Sequence, residues 1–301
     1  MTGMSTTART ASALSSPSGP PAGLLPPPVE PADDRARLPA GDQARSPNAI
    51  TGISIVLPCF NEADNVDEAV RGALAAAARC ATDYEVIVVD DGSRDETSAI
   101  TAKLVAADRH VRLVGHAYNR GYGDAVRSGI DAATMDWVLL TDADLQFDLG
   151  ELEGFLPSTA RAELVVGWRI LRRDPVHRRA NAAAWNWLVR RVFGLPVRDV
   201  DCAFKLMRRE LVQRCGLTAS GAMISTELLV KALARGARLQ ELGVHHHPRV
   251  AGDSSGADPR VVLRAFKELA SLRRTLRADA TTATATATAT ATSTSTAGTT
   301  A

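Results

Sequence analysis

Short apolar runs alternate with longer helical stretches through the first half of the chain. Residues 53–57 form a β-branched run stopped by Pro58, and 65–79 is an Ala-rich stretch with helical periodicity. Residues 85–89 are a second apolar run closing on Asp90-Asp91-Gly92-Ser93, followed by a helical segment at 96–107. A third strand is expected at 111–115, a helix at 123–133 and a fourth strand at 137–141. Apolar strands separated by helices predict an α/β fold, a mostly parallel sheet covered on both faces. Ligands of such sheets sit beyond the carboxyl ends of the strands. Three of the four strand ends carry polar clusters there: Pro58 to Glu62, Asp90 to Ser93, and Asp142 to Gln146.

The ends of the chain follow a different pattern. Residues 1–48 hold nine of the 15 prolines among Ser, Gly and Ala, too little apolar surface to offset ordering entropy, so a disordered segment is expected. Residues 279–301 are almost all Thr, Ala and Ser and predict a solvated tail. One domain, 49–278, lies between. The net charge of +1 argues against a general nucleic-acid binder. Cys59, Cys80, Cys202 and Cys215 form no C-x-x-C pair, which predicts reduced thiols in a cytoplasmic protein. No apolar run reaches the ~18 residues that a membrane span needs, and no signal peptide is expected.

The carboxylates carry the candidate chemistry. In Asp142-Ala143-Asp144 two acidic side chains two residues apart face one spot in an extended segment. Like charges so close call for a proton or a cation, and oxygen ligands suit Mg²⁺ or Mn²⁺ shared with substrate phosphates. A solvated acidic turn is the alternative. Asp90 and Asp91 could accept hydrogen bonds from a nucleoside, or the Asp-Gly-Ser run could simply cap a helix. Asn119-Arg120-Gly121-Tyr122-Gly123 is either a backbone cradle for a diphosphate or a plain strand-to-helix turn. His245-His246-His247 is either a late metal ligand or a polar strand end before Pro248.

Residues 181–197 place Trp185, Leu188, Val192 and Leu195 at helical spacing, with Trp187, Arg190 and Arg191 beside them. The segment fits a membrane-surface helix, or one packing its apolar stripe on the sheet. A second basic helix is expected at 259–277. With no span following, the expectation is a cytoplasmic protein, soluble or reversibly peripheral at the membrane face.

Taken in order, these motifs resemble glycosyltransferase family 2, in particular its polyprenyl-phosphate branch of the dolichol-phosphate mannosyltransferase type. The resemblance rests on Leu57-Pro58-x-x-Asn61-Glu62, then Asp90-Asp91-Gly92-Ser93-x-Asp95-x-Thr97, Asn119-x-Gly121-x-Gly123 and Asp142-Ala143-Asp144-Leu145-Gln146. Gly167-x-Arg169, Asp199-x-x-Cys202-x-Phe204-Lys205-Leu206, Glu227 and Arg249-x-x-Gly252-x-Ser254 continue it. The pattern departs from the branch at Phe147-Asp148-Leu149 after Gln146, and at Ala182, Ala203 and Ser255, departures that bear on the acceptor.

The resemblance implies a GT-A, Rossmann-like fold and a nucleotide-sugar donor, GDP-mannose or a UDP-sugar. It implies donor binding by Pro58, Asn61, Glu62, Asp90, Asp91, Gly121, Asp142, Gln146 and Asp199. Asp142, Asp144 and Gln146 would hold the metal. Asp142, Asp144 and Arg169 would serve catalysis, and Arg169, Arg178, Arg249 and Ser254 would bind the acceptor. The implied reaction is inverting transfer to a polyprenyl phosphate. Two alternatives stand beside it: transfer to a hydroxyl of a soluble sugar or metabolite, with Asp199 or Asp201 as base, and nucleotide-sugar binding without catalysis.

Overall fold

A computed structural model describes residues 46–170, 176–248, 268–274 and 276, with backbone only for 176–182. The elements in chain order are β1 (Ile50–Cys59), α1 (Val66–Cys80), β2 (Ala81–Asp90), α2 (Thr97–Ala107), β3 (Val111–Gly115), α3 (Tyr122–Ala132) and β4 (Trp137–Leu140). They continue with α4 (Leu152–Phe155), β5 (Leu164–Ile170), α5 (Val176–Phe193), β6 (Lys205–Arg208), α6 (Arg209–Gln213), α7 (Ile224–Ala234) and β7 (Leu239–His245). All seven helices and strands expected in the first half are present. The expected disordered segment up to residue 45, the Thr/Ala tail and most of the 259–277 helix lie outside the described residues.

The seven strands form one sheet in the order β3-β2-β1-β4-β6-β5-β7. β1 lies parallel to both β2 and β4, so the chain leaves it towards one edge and later returns on its other side. That reversal opens a crevice at the carboxyl ends of β1 and β4. β6 runs antiparallel to both of its neighbours, β4 and β5. β5 therefore points the same way as β4, and its end and the start of β6 reach the same crevice edge. The alternation in the first half gave no sign of this reversed strand.

Period-two alternation builds a core on each face. Ile53, Ile55, Leu57, Val86, Val88 and Leu139 are buried beneath α1. Val56, Ile87, Val89, Val138 and Leu140 are buried on the other face with α3, α5 and α7 residues. Each fully buried side chain of this size contributes about 1.5–3 kcal/mol. α3 approaches so closely at Gly129 that a Cβ there would lie 2.2 Å from Val56 Cγ1. α5 stops at Phe193, short of the expected 197. Gly194 adopts φ 67° and donates its N–H to Arg190 O at 2.8 Å, a left-handed cap, and Pro196 follows.

Candidate functional site

The loops after β1 and β2 are fastened to each other by the motif residues themselves. Asn61 N–H donates to Ser93 Oγ at 2.9 Å, and Arg94 N–H donates to Asn61 Oδ1 at 2.9 Å. Glu62 N–H donates to Thr97 Oγ1 at 2.9 Å, and Ala63 N–H to Asp95 Oδ2 at 3.1 Å. Asn61 takes φ 55° to do this, a left-handed conformation that Asn tolerates better than most residues. The Glu62 carboxylate accepts from Asn65 Nδ2 at 2.7 Å, at the head of α1. Asp95 would be raised by burial, but the Thr97 side chain and backbone N–H groups hold it below the usual carboxylate range. Much of the Pro-x-x-Asn-Glu and Asp-Asp-Gly-Ser pattern is thus the frame of a pocket wall.

Asp90 and Asp91, adjacent in sequence, do different work. Asp90 Oδ1 accepts from Ser93 N–H at 3.0 Å, a local turn at the end of β2. Asp91 is 2% exposed and commits both oxygens. Oδ1 accepts from Arg120 N–H (2.9 Å) and meets His116 Nδ1 (2.6 Å), while Oδ2 accepts from Gly121 N–H (2.8 Å). His116 Nε2 pairs in turn with Ser128 Oγ at 2.9 Å, on α3. Asp91 therefore pins the glycine turn. The glycines are steric necessities: a Cβ at Gly92 (φ 70°) would sit 2.4 Å from the Tyr118 carbonyl carbon, and one at Gly123 would sit 2.4 Å from Ala219 O.

The acidic pair follows β4. Asp144 is 7% exposed, and Leu145 after it takes φ 60°. Asp142 Oδ1 accepts from the Tyr122 hydroxyl at 3.1 Å. Burial first, then the charge of Asp144, push Asp142 up to about 6, against the opposing pull of Tyr122, Lys205 and Arg169. Burial and the charge of Asp142 also lift the Tyr122 phenol well above its usual range, so it is the hydrogen donor of the pair. Two oxygen ligands that disfavour each other's charge fit a hard divalent cation. Among the described residues no three His, Cys, Asp or Glu side chains gather to hold a metal.

Gln146 is tied to the strand edge. Its Nε2 donates to His247 O at 2.9 Å, and its carbonyl accepts from His247 N–H at 2.8 Å. The histidine run serves this junction. His245 Nδ1 pairs with Glu151 Oε1 at 2.6 Å, and the His246 ring meets Phe147 edge-on.

On the far side of the crevice Arg169, near the end of β5, forms a two-pronged ion pair with Asp199. Its Nε lies 2.6 Å from Oδ2 and its Nη2 lies 2.8 Å from Oδ1. Burial works to lower the Arg169 pKa, but Asp199 raises it past its ordinary value, so the guanidinium stays charged. Residue order alone assigned the two to separate ligands. The structure makes them one unit, which leaves Asp199 poorly suited as a base.

Lys205, at the start of β6, belongs to the motif, but the resemblance implies no role for it. It is wholly buried, and its ammonium donates to Val200 O (3.2 Å) and to Cys202 O. Burial lowers its pKa, with Asp201, Asp199 and Asp142 among the groups that oppose this. The signal was visible: a lone cation inside the apolar run Ala203-Phe204-Lys205-Leu206-Met207. Arg178 lies on α5, where only the backbone is described. Arg249 and Ser254 fall outside the described residues.

This arrangement can be compared with known proteins. The family pattern described as Glycosyl transferase family 2 matches residues 54–216, from β1 to beyond α6. The chain belongs to glycosyltransferase family 2. It is 31% identical over 232 residues to undecaprenyl-phosphate 4-deoxy-4-formamido-L-arabinose transferase of Pseudomonas fluorescens (strain SBW25), covering 76% of this chain and 67% of that one. It is 30% identical over 233 residues to dodecaprenyl-phosphate galacturonate synthase of Rhizobium johnstonii, covering 76% and 68%. Among solved structures it resembles glucosyl-3-phosphoglycerate synthase from Mycobacterium tuberculosis in complex with Mn²⁺ and UDP-glucose. There the TM-score is 0.55 and the identity 19%, over 73% of this chain and 79% of that one. The expected GT-A architecture is the one observed, and the protein is a glycosyltransferase.

Proposed function

We propose that the protein transfers a sugar, with inversion, from a nucleotide-sugar to a polyprenyl phosphate, with a divalent cation held by Asp142 and Asp144. The observation that carries this reading is the acidic pair at the switch-point crevice. The charge of Asp144 raises the proton affinity of Asp142, two residues away at the carboxyl end of β4, as expected of two oxygen ligands that would share a cation. The solved relative with Mn²⁺ and UDP-glucose supports the metal and the donor class. The two curated relatives, both named for polyprenyl phosphates, support the acceptor.

The framed wall between Asn61 and Thr97 receives the nucleoside, with Asp90 at its floor. Asp142 and Asp144 face the diphosphate. A divalent ion bound there supplies Lewis-acid neutralisation of the leaving group. Arg169, kept charged and oriented by Asp199, presents positive potential to an incoming phosphate. A phosphate monoester with a second pKa of about 6 is already largely ionised at neutral pH, so attack on C1 needs positioning more than a base.

α5 supports peripheral membrane contact through its outward face, while its apolar stripe packs on the sheet. Trp185 packs partly against the core and Val189 is fully buried, so the Trp185 stripe leans on the sheet. Trp187 is 67% exposed, and Arg190 and Arg191 are exposed with it. Trp with Arg at a surface suits the headgroup boundary. No helix among the described residues is long and apolar enough to cross a membrane.

The test is a two-phase transfer assay with radiolabelled GDP- and UDP-sugars, Mg²⁺ or Mn²⁺, and short-chain polyprenyl phosphate. Label should enter the organic phase only with metal and acceptor, and not with Asp144→Ala. Metal-dependent donor hydrolysis without lipid product would move the acceptor to a soluble molecule. No donor turnover at all would overturn the reading.

A further inference from the structure

We propose that Tyr122 is the positioning residue of the cation site: its hydroxyl fixes the orientation of Asp142, turning the rest of that carboxylate with Asp144 towards the donor diphosphate. The proposal rests on the reading of Asp142 and Asp144 as the metal-holding pair.

The geometry is specific. Tyr122 is the first residue of α3, and its hydroxyl reaches Asp142 Oδ1 at 3.1 Å across 20 residues of sequence. A phenol has one hydrogen to donate. Given to Oδ1, it leaves Oδ2 and the second lone pair of Oδ1 for other partners. A carboxylate on a short side chain after a strand can rotate about two bonds. A fixed donor selects one rotamer, which is how neighbouring hydrogen bonds orient metal ligands in general.

The phenol is itself held at several points. Asp91 grips the turn before it through Arg120 N–H and Gly121 N–H. His116 braces Asp91 and reaches forward to Ser128, further along α3. Gly123 N–H, just after Tyr122, donates to Ser220 O at 3.0 Å, where no side chain would fit. The Ser220 loop is anchored in turn by the buried Glu227, which accepts from Thr218 N–H (2.9 Å) and Ala219 N–H (2.7 Å). The aromatic ring packs against the core on that face of the sheet. Asp91, His116, Ser128 and Glu227 thus act at a distance through one helix start, and Tyr122 is where their constraint meets the acidic pair.

Tyr122→Phe keeps the ring and its packing and removes only the hydroxyl. Binding of Mn²⁺ to the full chain, read from the EPR signal of free Mn²⁺ with saturating UDP or GDP, should weaken about 10-fold in Tyr122→Phe, the usual scale for losing such a partner. Asp144→Asn should abolish binding. The Mn²⁺ concentration for half-maximal transfer should rise by the same factor. The donor KM at saturating Mn²⁺ and the thermal melt should stay at wild-type values, which a merely structural defect would not allow. His116→Gln should move Mn²⁺ affinity the same way by about 3-fold, a smaller loss through a relaxed support. Wild-type affinity in Tyr122→Phe, with Asp144→Asn still inactive in binding, would overturn the role of Tyr122 and leave the metal site standing. Failure of the wild-type chain to bind Mn²⁺ with either nucleotide would overturn both.

Discussion

Two carboxylates of the central sheet invite comparison, Glu85 on β2 and Asp142 just past β4. Glu85 is 4% exposed and lies towards the amino ends of the strands. Ser54 Oγ (2.7 Å), Thr134 N–H (2.7 Å) and Thr134 Oγ1 (2.8 Å) donate to one of its oxygens, and Arg112 reaches the other at 2.5 Å. Burial would raise its pKa, but these four partners hold it below the usual range. Asp142 has one hydroxyl donor and a like charge two residues away, and is pushed up to about 6. Both groups are acidic, Glu85 buried and Asp142 half-buried. One is answered wholly by the protein and stitches β1, β2, β3 and the entry to β4 together. On the proposed reading the other faces a bound cation. A buried acid marks a site when the fold does not complete its partners.

The largest effect should come from neutralising the acidic pair proposed to hold the cation. Asp144→Asn should lower transfer at least 1000-fold, on the order of losing a principal electrostatic contact to the leaving group, with the melt unchanged or raised. A transfer assay beside a thermal melt checks both halves.

Glu85→Ala should do the reverse. It strands the Ser54 and Thr134 donors and should cost about 2–3 kcal/mol of stability, read from urea unfolding. Turnover per folded molecule should stay near wild type.

The pH dependence separates the two further. Glu85 has a lowered folded pKa, so its stabilisation is present above the unfolded value near 4.5 and is lost as pH falls through its folded value. Asp142 has a raised one, from 3.8 to about 6. The folded state then holds the proton more tightly, and stability falls as pH rises through that window. Asp142→Asn should remove this loss, while Glu85→Gln should remove the loss at acid pH. Urea midpoints followed from pH 7 down to well below the unfolded Glu85 value give the answer.

The smallest effect concerns the surface. Trp187→Ala should reduce sedimentation with anionic vesicles by about 3- to 10-fold, on the scale of one aromatic side chain leaving the interface. Transfer to a water-soluble short-chain acceptor should hardly change.

Much of this was legible in the residues. Period-two runs and Ala-rich stretches located the first four strands and three helices, because both cores draw on that alternation. Strand ends rich in Asp located the crevice. The reversed β6 was not legible, since a four-residue buried strand carries no sign of its direction. Tyr122 and His116 escaped, and with them the hold of Asp91 on the glycine turn, because the partners are 20 to 30 residues distant and only the closed sheet brings them together. Asp199 and Arg169 were both marked as site residues, yet their mutual pairing is a tertiary fact. Which face of α5 meets the sheet was not legible, because helical spacing locates a stripe without saying whether sheet or solvent meets it.

The most direct test compares wild type, Glu85→Gln and Asp144→Asn in urea, each with and without Mn²⁺ plus UDP or GDP. A ligand at 100 times its Kd adds about 2.7 kcal/mol to the folded state. Wild type and Glu85→Gln should gain the same increment from different starting stabilities, and Asp144→Asn should gain none. An increment that survives in Asp144→Asn, or one that vanishes in Glu85→Gln, would contradict the assignment of one acid to the site and the other to the frame.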